Sequence, residues 1–196
     1  QETDIIGNPI LEAKQKISFS LINYDEDTVD VNWELIWQNK DLLVVFKPAL
    51  LPVQKTTRNI YFTLTELIRR QEQLPSAQAL HRLDLDTSGL MIFAKSSSAA
   101  KTWQPRLKEL LTRKIYRAVI LGKPDWQELS FESRIGKKSD SDIRCKMYVV
   151  NEDEKGQESN THFKVLSSKN DYSIVECELF TGRKHQIRAH LAYLGH

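Results

Sequence analysis

Between Ile115 and Leu179 the chain carries five strand-like runs in succession, with no helical pattern between them. They are Ile115–Leu121, Leu129–Phe131, Cys145–Val150, Thr161–Leu166 and Ile174–Leu179. Ile115–Leu121 is the clearest, being rich in β-branched residues. Parallel neighbours need a crossover of a dozen or more residues, usually a helix, whereas antiparallel neighbours need only a turn. This half of the chain is therefore expected to form an antiparallel sheet.

The preceding half adds strands and most of the helices. Glu34–Trp37 and Leu42–Phe46 read as strands around a polar turn at Gln38–Asp41, and Lys47-Pro48 ends the second. Thr63–Gln73 has Leu64, Leu67 and Ile68 at helical spacing. Ala79–Leu83 and Leu90–Ala94 read as short strands flanking a polar turn. Ser97–Thr112 reads as a helix that Pro105 should kink or split. Lys184–Leu194 reads as a final helix with Ile187, Leu191 and Leu194 on one side, and Arg134–Asp142 as a basic loop. The fold class is α+β, a largely antiparallel mixed sheet with flanking helices.

Charge divides the chain unevenly. Residues 1–34 hold eight acids and two bases, so the overall net charge of +2 leaves +8 on residues 35–196. We expect an acidic N-terminal arm over residues 1–32, with one possible short strand at Ile17–Leu21 and an acidic linker at Asp25–Asp30, followed by a basic body over 33–196. A basic body suits a polyanionic partner, since phosphate contacts release counterions. The two cysteines, Cys145 and Cys177, form no CxxC pair and have no histidine at metal spacing. Free thiols suit a reducing, cytoplasmic setting. No apolar run reaches the ~20 residues that span a bilayer.

Three stretches carry candidate chemistry. His81-Arg82-Leu83-Asp84-Leu85-Asp86-Thr87-Ser88-Gly89-Leu90 packs polar and charged side chains into a turn between two apolar strands. An arginine beside a carboxylate favours the charged form, as a nucleophile requires. The same residues would also make an ordinary charged hairpin. Thr181 to Leu191 begins with a possible helix cap at Thr181 and then crowds Arg183, Lys184, His185 and Arg188 into the first turns. Against the helix dipole that crowding calls for an anion, whether an acidic side chain or an RNA phosphate. Arg113 to Gly122 sets Tyr116 among Arg113, Lys114 and Arg117, a composition suited to base stacking and phosphate binding, although a strand tyrosine also packs well in a core.

Together these stretches resemble the RluA-type pseudouridine synthases, over roughly Trp33 to His196. The likeness rests on HRLDLDTSGL at 81–90 followed by Phe93-Ala94-Lys95, on Leu42–Pro48 with Leu51-Pro52-Val53, on KIYRAVILG at 114–122, and on TGRKHQIRAHL at 181–191. The resemblance implies the pseudouridine synthase catalytic fold and an RNA partner, ribosomal or transfer RNA. It implies isomerisation of uridine without metal or other cofactor: the glycosidic bond breaks, uracil rotates, and it is rejoined through carbon 5. Asp84 would be the nucleophile, at ribose or base. Arg183 would pair with Asp84, and Tyr116 would stack on uracil and help remove the carbon-5 proton. Arg82 would hold the flipped nucleotide out, with Lys114, Arg117, Lys184 and Arg188 as further RNA contacts. Leu50 stands where the family usually has glycine, and Pro105 falls in a helix that is normally unbroken. The family's catalytic domain continues past the position of His196, so 33–196 is expected to lack a C-terminal portion. Residues Glu12–Leu21 faintly resemble the tail of an S4-like domain.

Two readings compete with the enzyme. A catalytically silent RNA-binding or ribosome-assembly protein on the same fold has no need of a carboxylate among cations. A carboxylate hydrolase wants a second carboxylate or a metal cluster, and Asp86 has no argued role.

Overall fold

The computed structural model describes residues 24–138, 141–143 and 145–196. The strand expected at Ile17–Leu21 and the S4-like tail at Glu12–Leu21 lie outside the described residues.

Every strand pairing is antiparallel, and the strands form two sheets. The first has the order β1-β2-β4-β3, from β1 (Glu34–Gln38), β2 (Leu42–Lys47), β3 (Gln78–Ala79) and β4 (Gly89–Ala94). The second has the order β5-β9-β8-β6-β7, from β5 (Ile115–Leu121), β6 (Glu128–Gly136), β7 (Tyr148–Val150), β8 (Gly156–Lys169) and β9 (Tyr172–Leu179). Helix α1 (Leu64–Gln71) starts at Thr63, whose side chain accepts from the Glu66 N–H. Pro105 splits the next helical pattern as its missing N–H requires, into α2 (Ser97–Trp103) and α3 (Leu107–Leu110). Helix α4 (Gln186–Tyr193) packs on β6, β7 and β8.

Several elements differ from the sequence expectation. Strand β3 ends at Ala79, because the Leu80–Ser88 segment leaves the sheet to form the turn that carries Asp84. Arg134–Gly136, expected in a loop, continues β6, and the strand expected from Cys145 begins only at Tyr148. Thr181 does not cap α4. The N-cap is His185, and Thr181 Oγ1 instead donates to Gln186 Oε1. Residues 24–29 lie along the 54–62 loop, where the Glu26 carboxylate accepts from the N–H groups of Ile60, Tyr61 and Phe62. Partial burial pushes the Glu26 pKa up, but those donors outweigh it and hold the carboxyl below its usual range.

Apolar packing joins the layers. One core gathers Leu43, Val45, Met91 and Phe93 from the first sheet with Leu64, Leu67 and Ile68 of α1. Another gathers Ile120, Phe163, Val175 and Cys177 from the second sheet with Leu191 of α4. Tyr116 packs against both, so it stands where the two sheets meet. Both cysteines are free thiols; Cys177 is buried, and burial raises its pKa to about 12. Among the described residues no helix is long and apolar enough to cross a membrane.

Candidate active site at the sheet junction

Strand β2 turns inward every second residue, at Leu43, Val45 and Lys47. The last of these is a lysine with a fully buried side chain. Its Nζ donates to the carbonyls of Pro48 (2.9 Å), Leu51 (2.9 Å) and Leu85 (3.1 Å). Burial lowers the Lys47 pKa to about 8, with Asp86 and Asp84 pulling it back up, so the ammonium still prevails at neutral pH. Lys47 thus ties the end of β2 to the turn after Asp84. The Leu50 N–H adds a second tie, donating to the same Leu85 carbonyl at 2.9 Å. That tie holds Leu50 at φ +63°, the left-handed region that suits the glycine expected there.

The turn itself closes with the Thr87 N–H donating to the Asp84 carbonyl at 3.1 Å. Gly89, at φ +140°, then leads into β4. His81 anchors the other end: its Nε2 accepts from the Ile92 N–H at 3.1 Å. Burial, with Lys114 nearby, lowers the His81 pKa to about 4, which keeps that nitrogen's lone pair available. His81 is therefore a structural acceptor in this turn.

Asp84 presents its carboxylate toward α4. Arg188 Nη2 lies 3.0 Å from Oδ2, and His185 Nε2 lies 4.0 Å from Oδ1. Arg188 also reaches Asp86, at 3.5 Å. His185 has its pKa lowered by burial and by Arg188, Lys184 and Arg82, against the pull of Asp84, and so is neutral at pH 7. It holds φ +54°, a strained conformation for a non-glycine residue. Tyr116 is half-buried nearby, its pKa raised by burial and by the Asp84 charge. Arg82 is exposed beside Asp84 in the chain.

The expected pairing of Arg183 with Asp84 is not what the structure shows. Strand β8 runs past the end of β9, leaving the carbonyls of Gly156, Glu158 and Asn160 to find donors elsewhere. They take them from Arg134 Nη2 (2.8 Å), Arg183 Nε (2.8 Å) and the Phe180 N–H (3.2 Å). Arg183 is thus drawn to the sheet edge. Buried Gln186 fixes the turn in this orientation, accepting from the Arg183 N–H and the Thr181 hydroxyl and donating to Asn160 O and Thr161 Oγ1. The arginine one helical turn further on, Arg188, takes the place at the carboxylate.

The other expected RNA contacts divide. Lys184 lies beside Arg183 at the mouth of a groove described below. Lys114 Nζ donates to the Thr181 carbonyl at 3.0 Å, and burial, with Arg183 and Lys108, lowers its pKa. Arg117 does not join the site: it alternates to the face of β5 opposite Tyr116, across from Glu176. Sequence reasoning gave no site role to Lys47 or Gln186, and placed His185 only among the basic side chains that crowd the start of α4. For Lys47 a signal was present, a lysine in the inward phase of an apolar strand.

The family described as RNA pseudouridylate synthase matches residues 41–193. The human pseudouridylate synthase RPUSD2 is 32% identical over 162 residues, covering 83% of this chain and 29% of that protein. The ribosomal large subunit pseudouridine synthase D of Neisseria meningitidis serogroup B is 36% identical over 167 residues, covering 83% of this chain and 43% of that protein. The chain thus spans less than half the length of either relative. The solved structure of human RNA pseudouridylate synthase domain containing 1 superposes with a TM-score of 0.70 at 27% identity, covering 87% of this chain and 69% of that one. The chain belongs to the RNA pseudouridylate synthase family, of the RluA type.

Proposed function

We propose that this chain isomerises uridine to pseudouridine in structured RNA, with Asp84 as the nucleophile. The observation that carries the reading is the Asp84–Arg188 ion pair, held beside Tyr116 where the two sheets meet. Arg188 orients one carboxylate oxygen, and Oδ1 faces neutral His185 at the looser distance of 4.0 Å. Attack by the carboxylate on the target nucleotide breaks the glycosidic bond. The detached uracil rotates and its carbon 5 bonds to the ribose, the bond between Asp84 and the nucleotide breaks to free the carboxylate, and the carbon-5 proton leaves to solvent while the ring nitrogen that bore the sugar gains one. No net redox change or group loss occurs.

Tyr116 is better suited to stacking than to taking that proton as a phenolate. Its pKa is raised, so the phenol stays protonated across the neutral range. A flipped uracil against its ring would replace the stacking lost in the RNA. Arg82, exposed next to Asp84, is positioned to fill the space that the extruded base vacates. Ribosomal and transfer RNA are the substrate classes proposed, and a cytoplasmic setting suits both free thiols.

The test is tritium release from unmodified RNA labelled at carbon 5 of uridine. The parent should release tritium and Asp84→Asn should not. A parent that binds RNA and releases none overturns the proposal.

A further inference from the structure

One groove on the described surface is not lined by Asp84. It has a volume of about 1250 Å³ and lies behind the turn that delivers His185 and Arg188 to Asp84. Its walls are the end of β6 with Lys137 and Lys138 after it, the turn before β8, and Arg183 with Lys184. Gly136 and Gly156 face each other across β6 and β8 at its floor. A side chain on Gly136 would run into the Lys155 carbonyl, and one on Gly156 would meet Val150 at 2.6 Å, so both must be glycine for these walls to close up.

The lining is strongly basic, with six cations (Arg134, Lys137, Lys138, Lys155, Arg183, Lys184) against the carboxylates of Asp153 and Glu154. The two arginines are preorganised. Each spends one nitrogen on a β8 carbonyl, Arg134 on Gly156 and Arg183 on Glu158, at 2.8 Å in both cases. Among the described residues, Arg134 Nε is buried and has no acceptor. Two guanidinium groups anchored two residues apart on β8, with lysines around them, form a receptor for successive anionic groups. Arg183 and His185 are two residues apart, so at most about 7 Å of chain separates the groove's edge from the residue facing Asp84.

We infer that this groove binds the phosphodiester backbone of the RNA strand adjoining the target uridine, with Arg134 and Arg183 as its fixed phosphate contacts. The inference rests on the proposed function and extends it: the segment 183–188 has two working sides, Arg188 and His185 toward the nucleophile and Arg183 and Lys184 toward the flanking phosphates.

The test measures binding of fluorescently tagged oligouridylate over a range of salt. It compares the parent with a triple variant, Lys137→Gln, Lys138→Gln and Lys155→Gln, and with a control triple, Lys40→Gln, Lys101→Gln and Lys169→Gln, which removes equal charge from exposed positions outside the groove. Each lost phosphate contact should flatten the plot of log affinity against log salt by about 0.7. The groove variant should therefore lose a slope of about 2 and bind roughly 10- to 100-fold more weakly at 0.1 M salt, while the control stays near the parent. Equal losses in both triples, or a groove variant that binds like the parent, overturn the inference. Tritium release by the parent, measured in parallel, decides the isomerase reading separately. Release with groove-independent binding overturns the groove alone, and silence with groove-dependent binding overturns the isomerase reading while the phosphate groove stands.

Discussion

Replacing Lys47 with methionine removes the charged donor that joins β2 to the Asp84 turn while keeping nearly the same length of chain. The substitution leaves three carbonyls, those of Pro48, Leu51 and Leu85, without that donor. The Leu85 carbonyl keeps the Leu50 N–H, so two are left unsatisfied; a buried unsatisfied carbonyl costs about 1–3 kcal/mol, and the two together come to roughly 4 kcal/mol at the middle of that range. The ammonium itself is disfavoured by burial. Its pKa stands at about 8 against 10.5, and methionine recovers the corresponding ~3 kcal/mol. The balance is a destabilisation of about 1 kcal/mol. For a domain of this size each kcal/mol moves Tm by about 2–4 °C, so the variant should melt lower by about that much in a calorimetric scan. The catalytic effect should exceed the thermal one at temperatures where the variant is folded. Leu85 adjoins Asp84, and a displacement near 1 Å costs about 100-fold in rate, so kcat should fall by that order while the RNA Kd moves less than about twofold. A variant that melts at or above the parent temperature would refute the argument that these carbonyls depend on the ammonium. A lowered Tm with kcat intact would separate the stability argument from the positioning one.

The remaining predictions follow from single contacts. Arg188→Met should lower the single-turnover rate on the order of 100-fold, whereas Arg183→Met should weaken RNA binding and leave that rate at saturating RNA within a few fold; the reverse ranking would restore Arg183 to the carboxylate. Leu50→Gly should stabilise the protein by about 0.5–1 kcal/mol, since the left-handed φ costs a side-chain-bearing residue about 1–2 kcal/mol and glycine's greater freedom in the unfolded chain returns part of it; urea unfolding at a lower midpoint than the parent would count against it. His81 and His190 are both held near pKa 4, chiefly by burial, against 6.5 when unfolded. Between pH 6.5 and 4 the unfolded chain binds more protons, so the stability they confer is complete above 6.5 and is lost as pH falls through 4, by about 3 kcal/mol each. Urea midpoints measured from pH 7 to 4 should fall accordingly, and His190→Gln should make that fall shallower.

Periodicity made much of the fold legible. Ile115–Leu121 alternates cleanly and is β5 to the residue, and Pro105 divides the helical pattern where its missing N–H demands. What failed were segments whose conformation depends on distant partners. Leu80–Leu83 has strand-like composition, but Leu80 makes one last bond to β4 and the chain then leaves for the active-site turn. Arg134–Gly136 looks like a basic loop, yet it pairs with Glu158–Gly156 and so extends β6. The division into two sheets was equally out of reach, since strand order depends on contacts that no local window contains.

The exchange of Arg183 for Arg188 at the carboxylate shows where the site itself stopped being legible. Both arginines lie in one short basic stretch, and composition favours neither. Three structural facts decide between them: β8 outruns β9, its free carbonyl at Glu158 needs a donor, and Gln186 locks the turn so that Arg183 supplies it. Arg188, on the first turns of α4, is then the cation that meets Asp84. The crowding of positive charge at the start of α4 finds its anion in that carboxylate, which relieves the conflict with the helix dipole. The sheet edge thus sets the active-site pairing, and the same edge leaves Arg183 facing the basic groove. A substitution that gave Glu158's carbonyl another donor should therefore weaken RNA binding before it touches the chemical step.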